Sequence, residues 1–359
     1  MLNKIDRYIL RKFFGTYFVV LLSFVIIAVV FDITEKLDDF ITGEASFGSI
    51  VVDYYFNFIP YYAILLTPLL LFLSIVFFTS RMTSSNEIIA ILNTGIRYER
   101  LLKPYLIGAA IVCGINIYMN HNVLPITNKN RILFEDNYIR NHYVKSENNV
   151  RMQIAKNTYM YLQNYNGADS SGFKFTVDKW DNGKLIYKLR ADRIKWINTE
   201  KKWKLVNYQI RKNGKMFESL RFARDTIVAY NFSPEDFDKD IEEINALTTA
   251  QINSTIESET LKGADNIPFY YIEKYKRTAF PFAIFILTVI AVSISTRKVR
   301  GGTGLHLFLG IALSFTYILF QQFFSVFSTN AGLPIIIGVC SPNILYGIVA
   351  IILYKIAPK

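Results

Sequence analysis

From Gly301 to Tyr354 the chain contains no Asp, Glu, Lys or Arg. In water such a stretch would expose a large apolar surface. In a bilayer it needs only that every backbone N–H and C=O be satisfied within the protein, which a helix does by itself. One spanning helix takes about 20 residues, so the run is too long for one span. It is interrupted at STNAGLP (Ser328 to Pro334), where Gly332 and Pro334 favour a turn. The stretch therefore reads as two helices joined by a tight, uncharged hairpin.

Four more runs behave in the same way. Phe14 to Phe31, Tyr54 to Ser80, Pro104 to Asn128 and Thr278 to Thr296 carry no Asp, Glu, Lys or Arg. That predicts six spans. The low charged fraction, 19% against roughly 25% in soluble domains, agrees. The first run is too long, and too poor in small residues near its end, for a cleaved leader.

The net charge of +11 raises the question of nucleic acid, but its placement answers otherwise. Lys and Arg concentrate in the short segments on the cytoplasmic side of spans. Here they mark the N-terminus (Lys4, Arg7, Arg11, Lys12), the second short loop (Arg81, Arg97, Arg100, Lys103), the loop after span four (Arg297, Lys298, Arg300) and the C-terminus (Lys355, Lys359). The alternation is consistent and puts both termini in the cytoplasm. The loop after span one, with Asp32, Glu35, Asp38, Asp39 and Glu44 against Lys36, falls outside. No nucleic-acid partner is expected.

The polar segment from about 123 to 266 is long enough for a domain. In FKFTVDKW, Phe173, Phe175 and Val177 alternate with Lys174, Thr176 and Asp178, and Asp181 to Gly183 marks a hairpin. Leu185, Tyr187 and Leu189 repeat the alternation, and Asn213-Gly214 marks another turn. This predicts an antiparallel sandwich or open barrel. A polar helix starting at Thr248 or Thr249 and stopping at Gly263 leads back to span four. The expected domains are 1–122 (spans one to three), 123–266 (β domain and return helix) and 267–359 (spans four to six).

The motifs of catalysis are missing from the sequence. There is no G-x-x-x-x-G-K-[ST] phosphate loop and no H-E-x-x-H. Arg300 to Gly304 (RGGTG) is Gly-rich but lacks the Lys and hydroxyl of a nucleotide site. His121, His142 and His306 are scattered, and Cys113 and Cys340 sit in apolar runs as small buried hydrophobes, so no metal is expected. The charge-free runs supply no Asp or Glu for chemistry inside the membrane.

Between spans two and three lies SRMTSSNEIIAILNTGIRYERLLKP, Ser80 to Pro104. Ser84 and Glu87 have the spacing of a capping box, and Gly95 suits a helix stop. A helix over about 85–94 (84–95 with its caps) would put Ile88, Ile91 and Leu92 on one face, with Glu87, Ala90 and Thr94 on another. Two readings stay open: Glu87 caps its own helix, or the helix couples a cytoplasmic motor to the flanking spans, with Glu87 paired to a basic group of the motor. Arg81 and Ser84 lie beside it.

With its flanking Arg81, the stretch SSNEIIAILNTGI resembles the coupling region of the lipopolysaccharide export permeases, LptF and LptG. IDRYILRKFF near the N-terminus, NTYMYLQNY and KLRADRIKWINTEKKWKL in the middle, and GLPIIIGVCSPNILYGIVAIILY near the end are also similar to the family, and closer to LptG. The resemblance implies an α-helical membrane protein of six spans (3+3) with an inserted periplasmic β-jellyroll-like domain. It implies pairing with a second LptF/LptG-type permease and a dimer of an LptB-type ATPase. No cofactor sits on this chain, since ATP and Mg are bound by that ATPase. Lipopolysaccharide would be extracted from the inner membrane and passed to LptC-type and LptA-type jellyroll proteins.

Such a lipid needs an apolar cavity lined by spans one, two and five. Phe18, Phe24, Leu65, Leu69, Phe320 and Phe324 are the candidates, with helix packing or lipid contact as the alternative. The head group needs a basic rim, for which Lys36, Lys274, Lys276 and Arg277 are the candidates. The cluster at 274–277 would otherwise serve as an interfacial anchor. The chain departs from the family pattern after span one, where basic residues for lipid phosphate are expected and acids stand instead. Those acids would bind bridging divalent cations, reflect a less phosphorylated lipid, or form a solvated loop. Two other functions compete: a membrane-anchored periplasmic binding or scaffold protein that recruits partners by strand addition, and a lipid-modifying membrane enzyme.

Overall fold

The computed structural model describes residues 3–139, 146–214, 217–234, 237, 241–262, 266–299 and 302–357. The chain begins with α1 (Lys4–Thr42), α2 (Phe47–Ser84), the short α3 (Glu87–Asn93) and α4 (Tyr98–Tyr138). Six strands follow: β1 (Ser146–Ala155), β2 (Thr158–Asn166), β3 (Ser171–Asp181), β4 (Lys184–Ile197), β5 (Lys202–Asn213) and β6 (Glu218–Val228). Then come α5 (Ile241–Ile244), α6 (Thr249–Lys262), α7 (Ile267–Ser295), α8 (Thr303–Asn330) and α9 (Ile335–Ile356). Among the described residues, six of these helices are long and apolar enough to cross a membrane, three before the sheet and three after it. The hairpin between α8 and α9 turns at Gly332, whose φ of +72° suits glycine. Arg300 and Gly301, part of the Gly-rich loop, lie outside the described residues, as does Gly263, the expected stop of α6.

Helices extend past their apolar runs. α1 continues through the acids to Thr42, α4 continues from Asn128 to Tyr138, and α7 starts at Ile267, ahead of Thr278. The segment after span one is thus helix and not loop. Its polar groups are satisfied by one another, as described below.

The chain forms two compact units, one of residues 1–139, 245–249 and 268–359, the other of residues 140–244 and 250–267. The core of the first is built on α2, which packs against α1, α4, α7 and α8. Ile9 and Phe13 of α1, Leu71, Phe72 and Ile75 of α2, Tyr105 and Ala109 of α4, and Ile290 and Ala291 of α7 are buried together. Pro68 cannot donate to the carbonyl of Ile64 one turn back. Buried Asn116 of α4 supplies that bond, Nδ2 to Ile64 O at 3.3 Å, so the proline is tolerated in an apolar setting. A second cluster, Phe40, Tyr54, Tyr55, Phe58 and Phe134, closes the other end of α1.

α1 and α4 approach closely at Gly108, where a Cβ would lie 2.8 Å from the Phe13 ring. Gly114, on the same helix, has nothing within 4 Å of that position. Gly108→Ala is therefore expected to cost about 1–3 kcal/mol through overpacking, while Gly114→Ala costs nothing. Thermal unfolding of the two variants in detergent, compared side by side, checks this.

The second unit is an antiparallel meander in the order β1-β2-β3-β4-β5-β6. Met160, Leu162, Phe175, Val177, Leu189, Ala191, Trp203 and Leu205 are buried on one face, with Phe232 and Phe237 against them. Trp203 also donates Nε1–H to Phe232 O at 2.9 Å. Simple alternation fails for Phe173, which is exposed under the Arg193 guanidinium, 5.2 Å from its ring. The reason is the left-handed backbone at Lys174, whose φ is +52°, with the pairing register the same on either side of it. Asn149 of β1 (φ +60°) and Asn207 of β5 (φ +50°) interrupt their ladders in the same way, also without a change of register. No residue is added; a single left-handed residue turns the strand, so the alternation does not carry across it.

Candidate coupling helix and substrate-facing spans

The N-terminal part of α1, α3, the segment after α7 and the end of α9 gather at one end of the helical unit. Arg297 donates to Ile356 O. Lys298 donates to Asn86 Oδ1 at 2.9 Å, and Tyr354 to Glu99 at 3.2 Å. Arg100 grips buried Asp6 with two bonds of 2.7 Å. These are the Lys- and Arg-rich segments of the sequence.

Asn86, with φ of +62°, separates α2 from α3, and Gly95, with φ of +83°, follows the end of α3 and bonds to Leu92 O. Ile88 is fully buried in the helical core, and Ile91 and Leu92 pack on it. Ala90, Asn93 and Thr94 are exposed. Ser84 does not form the expected capping box. It remains in the last turn of α2 and donates to Ser80 O at 2.9 Å. Arg81 is exposed beside it.

The Glu87 carboxylate turns to α1 instead. It accepts from Tyr8 Oη at 2.8 Å, Lys12 Nζ at 3.2 Å and Ser85 Oγ at 3.2 Å, and Lys12 also lies 4.5 Å from the centre of the Tyr8 ring. Partial burial raises the pKa of this carboxyl. The bonds from Tyr8 and Lys12, the Lys12 charge and the bond from Ser85 outweigh burial and hold it below the ordinary value. A carboxyl with a lowered folded pKa stabilises above its unfolded pKa and loses that contribution as pH falls through the folded one. The latch between α1 and α3 is therefore complete at neutral pH and opens only in acid. Beside α3 lies an open groove of about 700 Å³ whose lining includes Ile89, Leu92, Asn93, Arg297 and Lys298.

The six apolar candidates fall on α1, α2 and α8. Phe18 and Phe24 are exposed, while Leu65, Leu69, Phe320 and Phe324 are half-buried. α1 and α8 both pack on α2. Between Phe13 and Asp32 no residue of α1 is buried. Only about 22% of the most apolar stretch is buried in α8 and in α9, against 67% in α2. The chain therefore carries bare apolar flanks on its first, fifth and sixth spans.

The four rim candidates divide into two kinds. Lys36 is not a free cation. It pairs with Asp32 at 3.2 Å and Glu135 at 3.2 Å and donates to Tyr54 Oη. Tyr54 and Tyr55 donate to Asp32 at 3.0 and 3.1 Å, and Arg131 pairs with Glu135 at 2.8 Å. Arg277 is also occupied and is buried: it pairs with Glu273 at 2.8 Å and donates to Leu247 O at 2.7 Å. Lys274 and Lys276 are half-buried. Lys276 lines a small cavity of about 70 Å³ that also contacts Leu65, Asn120 and Asn128. The described residues contain no group of His, Cys, Asp and Glu arranged for a metal.

The residues that sequence reasoning missed are the partners. Asp6 is the one acid in the basic N-terminal segment, and Asp32 stands four residues before Lys36, a spacing that puts them on one helix face. Both signals were legible. Glu135 and Arg131, a third of the chain away, gave none.

The family model described as "Lipopolysaccharide export system permease LptF/LptG" matches residues 7–356 of the chain. No curated protein matches it.

Proposed function

The chain belongs to the LptF/LptG family of lipopolysaccharide export permeases, multi-pass components of the inner membrane, and on that premise we propose that it is one half of the permease of an ABC exporter. A separate ATPase binds at the end where α3 lies. A second permease-type chain faces its bare spans, and the lipid leaves through the β domain to a periplasmic bridge. Both termini then lie in the cytoplasm and the β domain in the periplasm.

The observation that carries this reading is the attachment of α3. Its buried Ile88 sits in the same core as α2, α4 and α7, and its Glu87 is tied to α1, while its Ala90, Asn93 and Thr94 remain exposed. A push on that exposed face is passed to four spans at once. The adjoining groove, with Arg297 and Lys298, suits an acidic helical element of a motor. The bare flanks of α1, α8 and α9 supply apolar surface for acyl chains and for a partner chain.

Affinity purification of the full chain from its native membrane, followed by mass spectrometry, is expected to recover a second permease-type chain, an ATPase and a multiply acylated, phosphorylated glycolipid. Recovery of the chain without an ATPase, at a level where the second permease is present, would remove the coupling role.

A further inference from the structure

One face of the six-stranded sheet is the core. The other carries an open groove of about 750 Å³. Its floor is a row of cross-strand partners: Tyr161 pairs with Thr176, Thr176 with Arg190, Arg190 with Gln209, and Gln209 with Phe222. Partners in an antiparallel sheet point to the same side, so this row runs straight across β2 to β6, roughly 19 Å at about 4.8 Å per strand. Aromatic rings stand at its two ends. Arg151 lies over the Tyr161 ring at 5.6 Å, and Phe222 is 68% exposed.

A second row crosses the sheet where two strands turn left-handed. Lys174 and Asn207, the positive-φ residues of β3 and β5, line the groove together with Asp192 and Arg224. A left-handed backbone at a non-glycine residue costs about 1 kcal/mol. At Lys174 the conformation takes Phe173 off the core and leaves the cation on the groove side.

Several cations elsewhere on the sheet have acids: Lys188 with Asp178 at 3.1 Å, Arg193 with Asp169 at 2.5 Å, Lys204 with Asp225 at 3.1 Å and Arg211 with Glu218 at 2.7 Å. Lys174, Arg190 and Arg224 are exposed and have no ion pair among the described residues, and Asp192 is the groove's only acid. Three cations therefore face one carboxylate across a polar floor with amide side chains at Gln163, Asn207 and Gln209.

We propose that this groove binds an anionic oligosaccharide, with Arg190, Arg224 and Lys174 holding its phosphate or carboxylate groups. The amides and Asp192 pair with hydroxyls, and Tyr161 and Phe222 pack on the faces of sugar rings. The mixture of hydrogen-bonding amides between widely separated rings fits a saccharide. A single-stranded nucleic acid wants successive stacking platforms along its path. That the saccharide is the sugar portion of the exported lipid rests on the permease reading above.

The test uses the full chain in detergent and, as probe, the deacylated phosphorylated core oligosaccharide of lipopolysaccharide, with binding measured by titration calorimetry. Wild type is expected to bind it and to ignore a neutral dextran oligosaccharide of the same length. The double variant Arg190→Gln/Arg224→Gln is expected to bind at least tenfold more weakly, whereas Lys204→Gln, which breaks a paired cation outside the groove, leaves binding unchanged. Equal affinity in the double variant overturns the proposal, as does equal binding of dextran, full competition by inorganic phosphate alone, or tighter binding of an oligodeoxynucleotide. Recovery of the ATPase with these variants separates the two readings. Loss of sugar binding with the ATPase still recovered is the expected pattern, and sugar binding by a chain that recovers no ATPase defeats the export reading alone.

Discussion

Glu87→Ala is expected to abolish lipid-stimulated ATP hydrolysis in the exporter proposed above while the chain still inserts and folds. The physical reason is the latch on α1. Removing the carboxylate deletes the bonds from Tyr8, Lys12 and Ser85 together. Charge-assisted bonds contribute about 1.5–3 kcal/mol when buried. Here both partners of the ion pair keep about a third of their surface in water, 33% for Lys12 and 35% for Glu87, so screening reduces the total. A loss on the order of 2 kcal/mol corresponds to about a thirtyfold shift toward the unlatched state. The charge swap Lys12→Glu/Glu87→Lys discriminates the roles. If the carboxylate acts by holding α1, the swap restores much of the activity. If it acts by pairing with the motor, the swap remains as inactive as Glu87→Ala. Activity measured in reconstituted complexes, with ATPase recovery as the control, reads both.

Lys36→Met is expected to destabilise the chain by about 3–5 kcal/mol, the usual consequence of removing one partner of a buried ionic group. Asp32 and Glu135 are nearly inaccessible, and Lys36 and Arg131 balance them. Without Lys36 the cluster holds two acids and one cation. Adding Glu135→Gln brings it back to one of each, so the double variant should unfold at a higher temperature than the single one. Had Lys36 been a free rim cation for lipid phosphate, its loss would weaken lipid binding and leave stability unchanged. Thermal unfolding in detergent, followed by loss of the monodisperse peak, separates these outcomes. A single variant as stable as wild type would show that the cluster is not a closed ionic network.

The spans were legible because an uncharged apolar run has few places to go. The hairpin at Gly332, the three-plus-three order and the inserted sheet follow from that and from turn chemistry. The ends of the helices were not legible, because charge was counted against a span. In α1 and α4 the charged residues continue the helix and neutralise each other across a gap of 99 residues, which no local pattern reveals. The Ser84–Glu87 spacing misled for a related reason. α2 continues through Ser84, and the left-handed Asn86 sets the start of α3, so Glu87 is free to find a partner in another helix. In the sheet, the alternation of Phe173, Phe175 and Val177 failed at Lys174, where a left-handed residue that propensity does not announce moves Phe173 off the core. For the apolar candidates, which side of each helix is bare depends on its neighbours, which no local pattern gives.

α1 is held at two places far apart. Asp6, Ile9 and Phe13 fasten one end, and Asp32 and Phe40 the other. In between, Tyr17 makes a single side-chain bond, to Thr67 at 3.0 Å. Mechanically this is a beam clamped at both ends, whose lowest-energy deformation is a bow at mid-length. Sideways displacement there disturbs half-buried contacts only, whereas moving either clamp breaks ions out of their pairs. A load applied at one clamp would therefore reach the other as bending of the middle, without either end letting go.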